Sequence, residues 1–277
     1  MNDSEPSLTE AERQATLVDL MSARSGIYHS AHYETGGWKR AKALMAANGG
    51  HAPGATWLYN NWDFNTLGSI LEAQVGESMG VAFSRRIARP TRMQDFTPAA
   101  VSYVGDESYA ERMQGNHSNF PAYMFEMSVR DLARFGLLYL NCGRWEGTQV
   151  IPRKWVLESV TGRPVADGAP PGVEFFEEIG DYGYMWWVDK PGSRTWPAVR
   201  TEAPVYFGQG ANGHFLWIAP YLDLVVVHQV ATPGGLSTFD QLRRRFLGQP
   251  TVADNEFQEF LRRVLAAHPK AVDETGP

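Results

Sequence analysis

Apolar positions follow two regimes along this chain. Upstream of Tyr182 they recur at helical steps; downstream they gather in short continuous runs. Phe64, Leu67, Leu71 and Val75 recur at three- and four-residue steps and predict a helix over 61–75, ended by Gly76. Thr16 with Asp19 three positions on forms a capping-box pattern. It opens a short helix carrying Leu17, Leu20 and Met21, with Gly26 as its stop. Residues 27–56 read as a long excursion with one amphipathic piece around Trp38–Ala47. Ser78 caps a helix to about Ala88, stopped by Arg89-Pro90. Residues 96–127 carry few periodic signals and read as loop with short turns. Ser128–Asp131 repeats the capping pattern, and the helix that follows to about Leu140 sets Leu132, Phe135, Leu138 and Tyr139 on one side. Pro152 suits a first helical position and starts a helix over Lys154–Val160.

Residues 162–181 contain Pro170-Pro171 and several glycines and read as a loop. The runs 184–188, 215–219 and 224–230 then read as strands, the last two joined as a hairpin by Pro220–Asp223. A helix is expected around Phe239–Phe246. A final amphipathic helix carries Phe257, Phe260, Leu261, Val264 and Leu265. The class is α+β. No linker signal divides residues 1–277, which read as one domain, mainly helical over about 16–180, with antiparallel strands and C-terminal helices over about 181–277.

Composition narrows the partners. The hydrophobic share of 43% and nine tryptophans imply a substantial core. A net charge of −6, with no basic run, argues against nucleic acid. Arg243-Arg244-Arg245 reads as a solvated helix face. The single cysteine, Cys142, excludes an internal disulfide and a cysteine-based zinc site. His117, His214 and His228 lack ligand spacing, and His29 and His32 read as loop residues, so no metal or other cofactor is expected. Asn116-His117-Ser118 fits a glycosylation acceptor. There is no transmembrane run, and residues 1–15 lack the basic start and apolar centre of a signal, so no membrane partner is expected and the compartment is not written in the sequence.

Candidate chemistry concentrates at Leu58–Asn65. Tyr59 and Asn61 stand two positions apart, just before the helix over 61–75. A phenol held near a cation loses its proton more readily and can act as a general base. An amide beside it can donate one hydrogen bond and accept another. Asn61 equally suits the helix cap.

Several segments together resemble the serine β-lactamase and penicillin-binding-protein family, in its class C-like esterase branch. Thr16–Ile27 is similar to that family's "itvrdLLthtSGi" segment. Tyr59-Asn60-Asn61, followed by Leu67-Gly68 and Val75-Gly76, is similar to "YsN…lLG.i.e..tG". Arg89–Met93 stands where the family has "PLGM", and Ser128–Gly136 resembles "SarDlarfG". Phe207–His214, leading into Trp217–Pro220, resembles the third motif and its strand. The five segments occur in the family's order over roughly residues 16 to 230. The resemblance implies a helical subdomain beside an antiparallel sheet with flanking helices, and an active site in the seam. It also implies acyl-enzyme chemistry on a carboxylic ester or amide, in which backbone amides hold the oxyanion. On that basis Tyr59 transfers the proton, Asn61 positions substrate, and Gln209-Gly210-Ala211 borders the carbonyl.

Two departures matter. The third motif usually begins with Lys or His; here Gln209 is neutral, which favours esters or simple amides over carboxylate-bearing antibiotics. The family nucleophile is a Ser-x-x-Lys, and none of Lys39, Lys42, Lys154, Lys190 and Lys270 has a serine three positions before it. The chain is therefore expected to lack the N-terminal part of the fold, to be inactive or nearly so, and to leave a sheet edge uncovered for self-association. The alternatives are a non-catalytic ligand-binding module of the same fold, or one half of a split enzyme.

Overall fold

The computed structural model describes residues 6–34, 36–47, 49–165, 180–192, 195–196, 199–210, 213–230 and 252–268. The helix predicted around Phe239–Phe246, the arginine cluster 243–245 and Pro170-Pro171 lie outside them.

Local sequence signals build the helical part. Thr16 caps α1 (Leu17–Met21) with the capping box expected of it, but Ser22 already ends the helix, before Gly26 is reached. Next come α2 (Gly36–Ala47) and α3 (Asn61–Val75), the latter closed by Gly76 in the left-handed region at φ 68°. Ser78 caps α4 (Met79–Phe83), whose continuation Ser84–Ala88 widens to π geometry. Residues expected as loop instead hold β1 (Val101–Val104), α5 (Tyr109–Gln114) and β2 (Ala122–Phe125), the two strands pairing antiparallel. These strands are too short to announce themselves; each exists because the other supplies its hydrogen bonds.

Ser128 caps α6 (Val129–Leu140) by accepting from the Asp131 amide. The Asp131 side chain does not close a box. It is fully buried and accepts from the backbone amides of Gln94, Asp95 and Phe96 at 2.8, 2.8 and 2.9 Å. A small hairpin, β3 (Arg144–Trp145) and β4 (Thr148–Gln149), precedes α7 (Arg153–Ser159), for which Pro152 is the cap rather than the first helical residue.

The sheet is antiparallel. It comprises β5 (Arg163–Pro164), β6 (Asp181–Tyr182), β7 (Trp187–Asp189), β8 (Val205–Gly210), β9 (His214–Ala219) and β10 (Leu224–His228), in the spatial order β10-β9-β8-β7-β6-β5. The strand expected over 184–188 is interrupted. Residues 183–186 form a tight turn closed by the Gly183 amide on the Trp186 carbonyl, with Met185 at φ 60°. The hairpin between β9 and β10 turns at Pro220–Asp223 as expected, with Asp223 at φ 54°.

Alternation along each strand divides the core. One face carries Trp186, Tyr206, Leu216 and Ile218 under Tyr139 of α6 and Val156 of α7. The other carries Phe207, Phe215 and Trp217 under Phe257 and Leu261 of α8 (Asp254–Ala266). Phe215 and Phe257 stack with centroids 4.0 Å apart. Complete burial of Phe257 and Leu261 is worth roughly 1.5–3 kcal/mol each. The helical part has its own core of Ala23, Ala41, Met45, Trp57 and Leu58, which reaches Tyr182 and Trp187 at the end of the β6–β7 hairpin. Among the described residues no helix is long and apolar enough to cross a membrane.

Candidate active site

Tyr59 lies in the extended segment that feeds α3. The Leu58 amide donates to the Ala23 carbonyl at 2.9 Å, which fixes this segment against the end of α1. The cap of α3 is Asn60: its side chain accepts from the Trp62 amide and donates to the Ile27 carbonyl at 2.7 Å. Asn61 is thereby relieved of capping, and its Nδ2 donates to the Tyr33 carbonyl at 2.5 Å.

The Tyr59 ring stacks on Trp187 at 5.6 Å and 9°, and meets Trp38 at 5.2 Å and Phe64 at 5.0 Å. Burial, then the neighbouring Tyr33 phenol, pushes its hydroxyl up to about 12. The expected cation is not among these influences. In this setting the phenol holds its proton and can donate it, and it is a poor base at neutral pH.

Gly208, Gln209 and Gly210 extend β8 past its pairing with β7, which ends at Trp187 opposite Phe207. Alternation sends the Gln209 side chain to the α8 face, where its Nε2 donates to both Asp254 carboxylate oxygens at 3.0 Å. Gln209 therefore offers only its backbone to the opposite face. Ala211 lies outside the described residues. A Cβ placed on Gly208 would meet no atom within 4 Å, so the strand is open there.

Gly208–Gly210 form one wall of a cavity of about 530 Å3. Phe135 and Tyr139 of α6, Trp155 of α7, and Tyr184, Met185 and Trp186 of the tight turn supply the aromatic and apolar walls. His214, also in the wall, is pushed below the usual histidine value by burial and by His228, so it stands neutral at pH 7. Tyr59 and Asn61 are not in this lining. Trp187, on which Tyr59 stacks, is also the cross-strand partner of Phe207, the residue before the glycine strand, with ring centroids 6.5 Å apart.

The sequence reading passed over a buried polar cluster beside α3. Asp63 is fully buried and accepts from Ser25 Oγ at 2.6 Å and Asn60 Nδ2 at 2.9 Å. Lys42 forms a buried ion pair with Glu34 and donates to the His29 carbonyl at 2.7 Å. Burial pulls the lysine down and the glutamate up against their mutual attraction. His32, read from the sequence as a loop histidine, is 1% exposed. Ser25 and Asn60 fall in the family-like segments, but their meeting with Asp63 of α3, and that of Lys42 of α2 with Glu34, joins positions separated along the chain. Asn116 is fully buried and bonded to Glu111 and Lys39, which closes it to glycosylation in the folded chain. Among the described residues no group of three or more His, Cys, Asp or Glu could hold a metal ion.

Comparison of the sequence with known families matches Beta-lactamase over residues 6–248. The chain belongs to the β-lactamase family. A β-lactamase-type protein from Bacteroides dorei superposes with a TM-score of 0.53 at 18% identity, covering 81% of this chain and 68% of its own, and shows the same fold. A protein from Bacillus anthracis assigned as a 6-aminohexanoate-dimer hydrolase gives 0.49 at 22% identity, covering 86% of this chain and 63% of its own. A family VIII carboxylesterase gives 0.48 at 13% identity, covering 86% of this chain and 72% of its own. The chain thus spans less than two thirds of the length of the Bacillus anthracis protein. Comparison with curated proteins gives no match. This β-lactamase-family chain has helices flanking an antiparallel sheet.

Proposed function

We propose that this chain provides the substrate-binding and proton-handling parts of a serine acyl-transfer hydrolase acting on a carboxylic ester or amide, in the class C-like esterase branch. The observation that carries this reading is the glycine strand Gly208–Gly210, which runs past β7 along an apolar cavity. Backbone amides at such an open strand end can hold a carbonyl oxygen as it gains charge. The neutral, aromatic walls suit an uncharged apolar group on the substrate. Tyr59 is the proton carrier and Asn61 the substrate-side amide.

The sequence holds no Ser-x-x-Lys, so this chain alone binds without turning over. A second reading, a ligand-binding module that does no chemistry, is favoured by one observation. The Tyr59 hydroxyl, held at about 12, is far from the range of a working base.

Both readings are tested with p-nitrophenyl butyrate, nitrocefin and a fluorophosphonate probe. The expected result is saturable quenching of tryptophan fluorescence by the ester, no turnover above buffer and no covalent adduct. Loss of a nucleophile costs several orders of magnitude in rate. A fluorophosphonate adduct on any serine would overturn the assignment of no nucleophile. Turnover that survives Tyr59→Phe would overturn the role of Tyr59.

A further inference from the structure

Asn61 is held by the peptide of Tyr33, and that peptide is held in turn. Tyr33 stands at φ 60°, a backbone region that bulky residues rarely occupy unless their surroundings force it. Its carbonyl accepts from Asn61 Nδ2 at 2.5 Å, and its amide donates to Glu111 Oε2 at 2.9 Å. One residue back, the His32 carbonyl accepts from Asn65 Nδ2 at 3.2 Å. Asn61 and Asn65 lie one helical turn apart on α3 and grip successive peptides of the same loop.

Glu111 is itself buried. Its Oε2 also accepts from Asn116 Nδ2 at 2.8 Å and lies 3.5 Å from His32 Nδ1. The other ring nitrogen, Nε2, lies 3.0 Å from the Ser118 carbonyl and 3.2 Å from Asp106 Oδ1. We infer that Glu111, seated on His32, is a positioning residue for Asn61 and acts through the Tyr33 peptide. This rests on reading Asn61 as a substrate-side group.

The physical basis is the proton count on His32. An imidazolium is favoured on both sides, by the Glu111 carboxylate in ion-pair contact 3.5 Å from Nδ1 and by the Ser118 carbonyl and Asp106 at Nε2. A neutral ring that keeps its N–H on Ser118 turns a lone pair toward the Glu111 carboxylate, and the two repel. Burial pushes His32 down, but Glu111, the Ser118 carbonyl and Asp106 outweigh it and set it above the usual histidine value. His32, the Asn116 side chain and the Tyr33 amide, outweighing burial, hold the Glu111 carboxyl below its usual value. The remaining charged groups around the cluster are Glu34, Lys39, Lys42 and His117, the last 3.6 Å from Asp106. Because the histidine is raised, the hold on Tyr33 is complete below about 6.5 and is released as pH rises through the raised value.

The test is nuclear magnetic resonance on the full chain between pH 5.5 and 9, following the Asn61 side-chain amide, assigned by its loss in Asn61→Asp. The expected result is an Asn61 shift whose inflection lies above 6.5 and coincides with titration of the His32 ring. In His32→Gln the inflection disappears, and in Glu111→Gln it moves toward the usual histidine value. A side chain that only fills space would give no such pH profile. An Asn61 signal that stays fixed while His32 titrates in the wild-type chain would overturn the inference, without recourse to any variant. The readout needs no turnover, so its failure is separable from failure of the ester-binding assay.

Discussion

Asp63 takes its character from burial, not from a formal charge. It accepts from Ser25 and Asn60 at one oxygen, while its Oδ2 has no hydrogen-bond partner among the described residues. Burial pushes its carboxyl well above the ordinary value, and Ser25 and Lys42 only partly offset that. A raised acid binds its proton more tightly folded than unfolded. Its stabilising contribution is therefore whole below the ordinary aspartate value and is lost as pH rises through the raised one. Asp63→Asn keeps the shape and removes the titration. At pH 8 the variant should be more stable than wild type, with the gain shrinking toward pH 5. Urea unfolding at the two pH values measures it, and a variant less stable at pH 8 would contradict the protonated reading. The sequence marks Asn61 as a cap candidate. Only the backbone angles at Asn60, φ −132° and ψ 103°, decide that it caps and leave Asn61 for Tyr33.

At the level of elements, α6 lies on β9 and β10 because Gly136 lets it. A Cβ there would sit 2.6 Å from Val225 Cγ1 and 2.9 Å from Leu216 Cδ1. Gly136→Ala gains about 1 kcal/mol of helix propensity but overpacks the helix–sheet contact by about 1–3 kcal/mol, so a net loss is expected. Gly37→Ala in α2 meets nothing within 4 Å and should instead stabilise by about 0.5–1 kcal/mol. Chemical denaturation of the pair separates packing from propensity, and equal shifts would refute the contact. The helices were legible because their signals are local: a cap, a periodic stripe and a terminating glycine. Strands β1 and β2 were not, because Val101 finds its partner in Phe125, far along the chain. The turn at 183–186 was hidden because Tyr184–Val188 reads as one apolar run, and the positive φ of Met185 is accommodated by its amide bonding to the Met21 carbonyl.

On the scale of the whole molecule, the sheet ends in β10, whose partner among the described residues is β9 alone. Such an edge offers unpaired backbone groups to another chain. Self-association is expected to rise with concentration, and sedimentation velocity from about 1 to 100 µM would detect it, a range well above that of tight dimers. A monomer throughout would show that the edge is covered. The amino-acid order alone determined the α+β class, most helix boundaries, the β9–β10 hairpin and the ordered segments that mark the family, since caps, periods and turns act over a few residues. Tertiary packing decided the rest. It stacked Trp187 on Tyr59, turned Gln209 to Asp254, and drew His32, Glu111 and Tyr33 around Asn61. Those outcomes depend on which face each side chain takes and on contacts between distant segments, and no spacing along the chain encodes either.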